Sequence, residues 1–255
     1  MTMRRTVLAA LAALATVGVT ALGLRLSQIE FNLDAPAGGS ASGTFVVIND
    51  EPEPTTVNVT VADWDRLPDG ENRFLPPGSV ERSASSWITF APSQFTLQPD
   101  EAVEVRFSLN VPDGVEGTYW TSLLVEGTPR EVETQQGTTI LVRRRFAVKV
   151  LETPPGSGDP QGRIQDLQIR GLNPLTVVIQ FENTGRVNLP AVKGRVEVRD
   201  TAGQTLESIP IEEFPVLPGA VRVLRPAIAR APGQALAPGR YLVLAVLYFG
   251  GASLL

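Results

Sequence analysis

The chain of 255 residues contains no cysteine and no histidine. It therefore cannot form disulfides or a Cys/His zinc site, and it cannot contain a Ser–His–Asp or Cys–His nucleophile pair. Only carboxylates, lysine, tyrosine or an unusually activated hydroxyl remain as catalytic candidates. We accordingly predict no catalytic residues, no metal site, no cofactor and no enzymatic activity.

The beginning of the chain is typical of a targeting segment. Arg4 and Arg5 precede an uncharged run over residues 6–24 that consists almost entirely of Ala, Leu, Val, Gly and Thr. This pattern predicts a secretory signal peptide within residues 1–23, with cleavage after Ala21 or Gly23. The run is nearly long enough to span a bilayer, so an uncleaved anchor that contacts the membrane only through residues 6–24 is the alternative. Both place the rest of the chain in the periplasm or another extracytoplasmic compartment.

Positive charge is scarce and unevenly distributed. Without residues 1–21 the chain has 20 basic and 27 acidic residues, a net charge of −7, which is unsuited to nucleic acid or an anionic lipid surface. Residues 22–153 contain 10 basic and 19 acidic residues, whereas residues 154–255 contain 10 and 8. The difference predicts two domains with different surfaces and no nucleic-acid partner.

Short apolar and β-branched runs alternate with turn residues along the rest of the chain. The runs recur about every 8–12 residues, which is the spacing of an all-β sandwich. Three prolines and three glycines within residues 153–162 indicate a linker. We predict an all-β protein with two tandem immunoglobulin-like β-sandwich domains after the signal or anchor helix. The domains are predicted at residues 24–153 and 164–255, with the linker at 154–163.

The predicted second domain ends on a short segment. Only residues 252–255 follow the turn at Gly250 and Gly251, whereas a typical strand takes about 5–6 residues. We expect either a short last strand or an edge without its last strand, to which another chain could add one.

Four segments between residues 28 and 154 combine apolar strands with turns and prolines. They are Asn49–Pro52, Trp87–Arg106, Val111–Val125 and Ile140–Pro154. Together they resemble the N-terminal domain of periplasmic pilus-assembly chaperones of the PapD type. The resemblance implies an immunoglobulin-like sandwich and, as partner, a secreted pilin-like or surface protein subunit. Such chaperones lend an alternating apolar strand to a subunit that lacks one.

The segment 138–150 is the candidate partner-binding site, because apolar residues alternate there with a row of cations. The resemblance implies that Ile140 and Val142 are donated to the subunit and that Arg144 stands at a third donor position. It also implies that Lys149 grips the terminal carboxylate of the subunit. The family's second cation, an arginine in the first strand, has no counterpart in residues 29–35. The predicted partner-binding residues are Thr138, Ile140, Val142, Arg143, Arg145 and Lys149.

Other interpretations stay open. A buried sandwich strand with a solvated basic face would show the same alternation over residues 138–150. Beside our main prediction, an exported non-enzymatic protein that holds a secreted subunit, the chain could therefore be a structural cell-envelope or surface-attachment protein. A third possibility is a calcium site or a glycosidase carboxylate pair, although a Pro-Asp-Gly turn explains the same composition. The acidic residues concerned are Asp63, Asp65, Asp69 and Glu71.

Overall fold

The computed structural model describes residues 23–133, 137–172, 175–228, 236 and 239–250. These residues form β-strands and no helix, which confirms the prediction of an all-β chain with two sandwich domains. The predicted signal or anchor helix lies outside the described residues, as do the last five residues of the chain. Within the described part, no helix is long and apolar enough to cross a bilayer.

The first domain consists of two sheets and a two-stranded arm. One sheet has the strand order β1–β3–β8–β6, and the other has the order β2–β12–β9–β4–β5, with β7 also paired to β4. The arm is the pair β10–β11. The strands are β1 (Leu24–Leu26), β2 (Glu30–Leu33), β3 (Ser40–Asn49), β4 (Thr55–Arg66), β5 (Asn72–Leu75), β6 (Ile88–Ala91), β7 (Gln94–Leu97), β8 (Ala102–Asn110), β9 (Tyr119–Gly127), β10 (Arg130–Glu133), β11 (Thr139–Val142) and β12 (Arg145–Glu152).

Alternation along the strands places one set of side chains between the two sheets. In β4, Val57 and Val59 are buried while Asn58 is exposed. Val148 and Val150 of β12 enter the same core from the neighbouring part of the sheet. Since a one-residue slip would turn these side chains to solvent, the period of two fixes the register.

The second domain also consists of two sheets, with fewer strands among its described residues. One sheet has the order β13–β14–β17, with β18 also paired to β14, and the other has the order β16–β15–β19. Its apolar core is a separate cluster in which β14 faces β15. The strands are β13 (Gly162–Leu172), β14 (Leu175–Asn183), β15 (Leu189–Arg199), β16 (Thr205–Val216), β17 (Val221–Leu224), β18 (Ala227–Ile228) and β19 (Leu242–Tyr248).

A buried asparagine closes one corner of the first domain. Asn49, at the end of β3, donates its side-chain amide to the carbonyls of Glu53, Leu97 and Gln98 at 2.8–3.3 Å. Its side-chain oxygen accepts the N–H of Glu51 at 3.1 Å. One side chain therefore satisfies several backbone groups that the turn would otherwise leave unpaired.

The second domain contains the same corner. Asn183, at the end of β14, donates to the carbonyls of Val187 and Val216 at 2.8 and 2.9 Å and accepts the N–H of Gly185 at 3.0 Å. Like Asn49, it is completely buried. The relative positions of the partners along the chain match, so β3, β4 and β7 correspond to β14, β15 and β16.

The turn that faces each asparagine is also repeated. The N–H of Asp100 donates to the carbonyl of Asn49 at 2.8 Å, and the N–H of Gly219 donates to that of Asn183 at 3.0 Å. Both turn residues have a positive φ, 59° at Asp100 and 72° at Gly219. Aspartate and glycine are among the residues that tolerate this conformation.

The two domains meet through an apolar cluster and a set of backbone hydrogen bonds. Trp64, Trp120 and Leu151 of the first domain pack with Leu217 of the second, and all four are buried. The indole N–H of Trp120 is bonded to the carbonyl of Trp64 at 2.6 Å, so the ring has a fixed orientation. The backbone hydrogen bonds across the junction run from Thr118 N to Arg186 O at 2.8 Å and from Val223 N to Pro68 O at 2.7 Å.

Candidate partner-binding site

Half of β12 forms an open edge of the sheet. β2 pairs with β12 only over Lys149–Glu152, and the N–H of Lys149 donates to the carbonyl of Ile29 at 2.9 Å. Because alternate residues direct their backbone groups to the same side of a strand, those of Arg145 and Ala147 face this side as well. No strand of the described residues pairs with them there. An extended chain could therefore add to β12 at this edge.

The arm β10–β11 extends the β9–β12 hairpin beyond the sandwich. Val142 pairs with Arg130, whereas Arg145 pairs with Glu126, so three residues of one strand stand opposite two of the other. Such a bulge interrupts pairing and bends the hairpin. The alternation over residues 138–150 indicates one continuous strand, and the structure corrects this: β11 ends at Val142 and β12 begins at Arg145.

The arm exposes apolar side chains. Ile140 is 45% exposed and Leu141 is 69% exposed, while Val142 is half-buried near the bulge. Of these three side chains, that of Leu141 is the most exposed. Solvated leucine and isoleucine side chains next to an open strand edge are typical of a surface that another protein covers.

Arg144 is bound to the sandwich at the root of the arm. Its guanidinium forms an ion pair with Glu51 in the β3–β4 turn, and Arg130 of the arm binds the same carboxylate. Leu24, Val142 and these charged groups line a cavity of about 400 Å³ at the root of the arm. Arg144 thus ties the root of the arm to the sandwich.

Lys149 lies at the inner end of the open edge, above an indole ring. Its Nζ is 4.7 Å from the ring centroid of Trp64, and the Cζ of Arg66 is 5.6 Å from the same ring. Burial lowers the pKa of Lys149, the charge of Arg66 lowers it further, and Glu30 partly opposes both effects. Burial and the charge of Arg222 likewise lower the pKa of Arg66.

Lys149 and Arg66 are two cations beside the same indole ring, an arrangement that suits an anion. Both are half-buried, the charge of Arg66 disfavours that of Lys149, and no carboxylate of the described residues makes an ion pair with either. A carboxylate placed between them would relieve the repulsion and accept charge-assisted hydrogen bonds. Arg66 belongs to β4, whereas the resemblance places the second cation in the first strand, so the sequence analysis does not include it. The only local indication of Arg66 is the tryptophan two residues before it, Trp64.

The structure separates the predicted site residues into two groups. Arg145 and Lys149 lie on β12 along the open edge, and Arg145 also forms an ion pair with Glu126 of β9. The other four belong to the arm or its root: Thr138 before β11, Ile140 and Val142 on β11, and Arg143 between β11 and β12.

Three carboxylates of the acidic segment at residues 63–71 have partners within the protein. Asp63 is buried and accepts the N–H of Ser79 at 2.7 Å and the hydroxyl of Ser83 at 2.7 Å. Asp65 forms an ion pair with Arg73, and Asp69 accepts the N–H of Glu71 at 3.0 Å. Hydrogen bonds and an ion pair within the protein thus account for the positions of these three carboxylates.

No family model matches the chain, and no curated protein sequence matches it significantly. The solved structures to which it is similar include a chain of a chaperone–tip adhesin complex for CFA/I fimbriae biogenesis (11% identity, 88% of this chain and 98% of that one, TM-score 0.48). They also include the Escherichia coli chaperone DraB (14% identity, 90% of this chain and 92% of that one, TM-score 0.46). A third is a chain of the CsuC–CsuE chaperone–tip adhesion subunit complex of Acinetobacter baumannii (10% identity, 88% of this chain and 97% of that one, TM-score 0.48). Each of the three comes from a chaperone or a chaperone complex and is at most 14% identical to this chain.

Proposed function

We propose that this protein is an exported, non-enzymatic binding protein that holds a secreted subunit by β-strand addition. The observation that carries the proposal is the open edge at Arg145 and Ala147, which continues into an arm with exposed Ile140 and Leu141. The edge supplies backbone hydrogen bonds, and the apolar side chains supply contacts with a groove of the subunit. The arm and the open half of β12 together form the proposed binding strand.

Lys149 and Arg66 would fix the end of the bound chain. A terminal carboxylate of the subunit would lie between the two cations at the inner end of the open edge, next to Trp64. Since the cations are already half-buried, less of their solvation is lost on binding than for exposed side chains. The carboxylate would set the register of the added strand, because only one alignment reaches both cations.

Native mass spectrometry of the protein purified from its own envelope fraction tests the proposal. We expect a one-to-one complex with a small secreted β-protein for the wild type. In the Ile140→Arg variant the fraction of protein found in this complex should fall at least tenfold, because a charge would enter the apolar groove of the subunit. Leu206→Arg is the matched control, since Leu206 is 39% exposed in the second domain, against 45% for Ile140, and should leave the complex intact.

Hydrogen exchange then locates the contact. The amides of Arg145 and Ala147 should exchange more slowly in the complex. The double variant Lys149→Met, Arg66→Met should bind the subunit more weakly. A complex that survives Ile140→Arg, or protection confined to other strands, would refute strand addition. Protein that stays with wall material and carries no stoichiometric partner would instead support the structural envelope role.

A further inference from the structure

β9 and β19 hold corresponding places in the two domains. β9 pairs antiparallel with β4 on one side and with β12 on the other. β19 pairs antiparallel with β15, the strand that corresponds to β4. In the described part of the chain, nothing pairs with the other side of β19. β19 therefore presents the edge that β9 would present if β12 were removed.

The cores differ accordingly. In β9 every residue from Trp120 to Val125 is buried, whereas in β19 only Leu247 is buried. Val243 and Ala245 face the core of the second domain but are only half-buried. Apolar surface therefore remains accessible along the side of β19 where β12 covers the first domain.

β19 also lacks the features that protect other edges. Its pairing with β15 is continuous from Leu242 to Tyr248, and none of its residues is charged or a proline. β13, by contrast, has two register shifts along its length, and β16 contains Pro210 and Pro215. Regular, uncharged edges are those that accept another strand most readily.

We propose that the open side of β19 binds an extended strand from another polypeptide, antiparallel to β19 and with apolar side chains at alternate positions. β12 shows which chemistry fits the place, because Phe146, Val148 and Val150 face the core while Ala147 and Lys149 alternate with them. The inference does not rest on the proposed function: the edge of β12 lends a strand, whereas the edge of β19 accepts one.

A peptide with the sequence of residues 144–153 is the probe, because it contains the strand that fills the corresponding place in the first domain. We expect saturable binding to the exported protein, at least tenfold weaker when the peptide residues of Phe146, Val148 and Val150 are replaced by serine. Hydrogen exchange of the amides of residues 242–248 should slow when the peptide binds.

The absence of cysteine allows a specific crosslinking control. Val246→Cys, on the outward face of β19, should form a disulfide with a peptide that carries one cysteine at an outward position. Ser208→Cys, exposed on β16 of the same sheet, should not. The proposal is overturned if the peptide protects residues 145–147 instead, or if Val246→Cys links two copies of the protein without peptide. It is also overturned if the β19 amides are already protected and removal of residues 251–255 exposes them, because the chain would then cover its own edge.

Discussion

The corners closed by Asn49 and Asn183 share most of their hydrogen bonds but differ in their surroundings. In the first domain the turn Gln98–Glu101 is exposed, whereas in the second the corresponding Leu217 packs against Trp64 and Trp120. The hydrogen bonds determine the shape of the turn in both places. The first turn residue, glutamine in one and leucine in the other, decides whether the turn stays in solvent or joins two domains.

Removal of the asparagines should have the largest effect on stability. Asn49→Ala and Asn183→Ala should each lower the free energy of unfolding of their domain by about 3 kcal/mol, because buried carbonyls lose their donors. Urea unfolding with a fluorescence readout measures this change, and exposed Asn58→Ala is the control. A loss below about 1 kcal/mol at either site would show that the two corners are not equivalent.

The contrast between Leu217 and Gln98 predicts the next largest effect. Leu217→Ala should cost about 2–3 kcal/mol, because it leaves a cavity at the junction. Gln98→Ala, at the corresponding exposed position, should change stability by less than about 0.5 kcal/mol. Calorimetry should also resolve separate unfolding of the two domains in Leu217→Ala; a single unshifted transition would contradict the role of this cluster.

Two buried glutamates provide a third comparison. Within the described residues, the carboxyl oxygens of Glu152 have no hydrogen bond of normal geometry. Burial raises the pKa of Glu152 to about 7, and the charge of Asp34 adds to the rise. The nearby N–H groups of Ala35 and Thr153 partly offset it. In Glu197 the hydrogen bonds from Arg195 and Arg199 lower the pKa of the carboxyl.

The pH dependence follows from these opposite shifts. Between about pH 4.3 and 7 the folded state keeps a proton on Glu152 that the unfolded state has released, so wild-type stability falls as the pH rises through this window. The free energy of unfolding of Glu152→Gln, relative to that of the wild type, should therefore increase by about 1–2 kcal/mol between pH 5 and 8, with solvent screening allowed for. Glu197→Gln should lose stability at pH 7 and less at pH 3. Thermal unfolding at several pH values tests both, and a pH-independent difference for Glu152→Gln would contradict the first.

The smallest effect is expected at the root of the arm. The first corner has Glu51 to bind Arg144, whereas the second has Gly185 at the matching position. Arg144→Met should lower stability by less than about 1 kcal/mol, because the arginine is partly exposed, yet it should speed amide exchange in β10 and β11. Arg106→Met, which removes an exposed pair with Glu104, should leave the arm unchanged.

Most of the strands could be predicted from the sequence because their burial alternates. Val57–Val59 in β4 and Phe146–Val150 in β12 show the period of two that a half-buried sheet imposes. The break at residues 143–144 could not be predicted in this way. At this point Arg144 forms an ion pair with Glu51, which lies 93 positions away, and alternation contains no information about such a contact.

The candidate site was only partly predictable for the same reason. The row of cations indicated Lys149, but Arg66 joins it only because β4, β9 and β12 are neighbours in one sheet. The open edge itself depends on where β2 stops pairing, and residues 28–34 contain no turn or proline that marks this point. Pairing partners are a property of the folded sheet, not of local composition.

The contacts between the domains also determine how the molecule responds to mechanical load. Nine residues separate Glu152, the end of β12, from Gly162, the start of β13, and fully extended they would span about 30 Å. That slack is not available while Leu217 stays packed on the tryptophans and the backbone bonds of Thr118 and Val223 hold. A force that pulls the two domains apart would first have to break these contacts together. Only afterwards would the linker extend, at a much lower force.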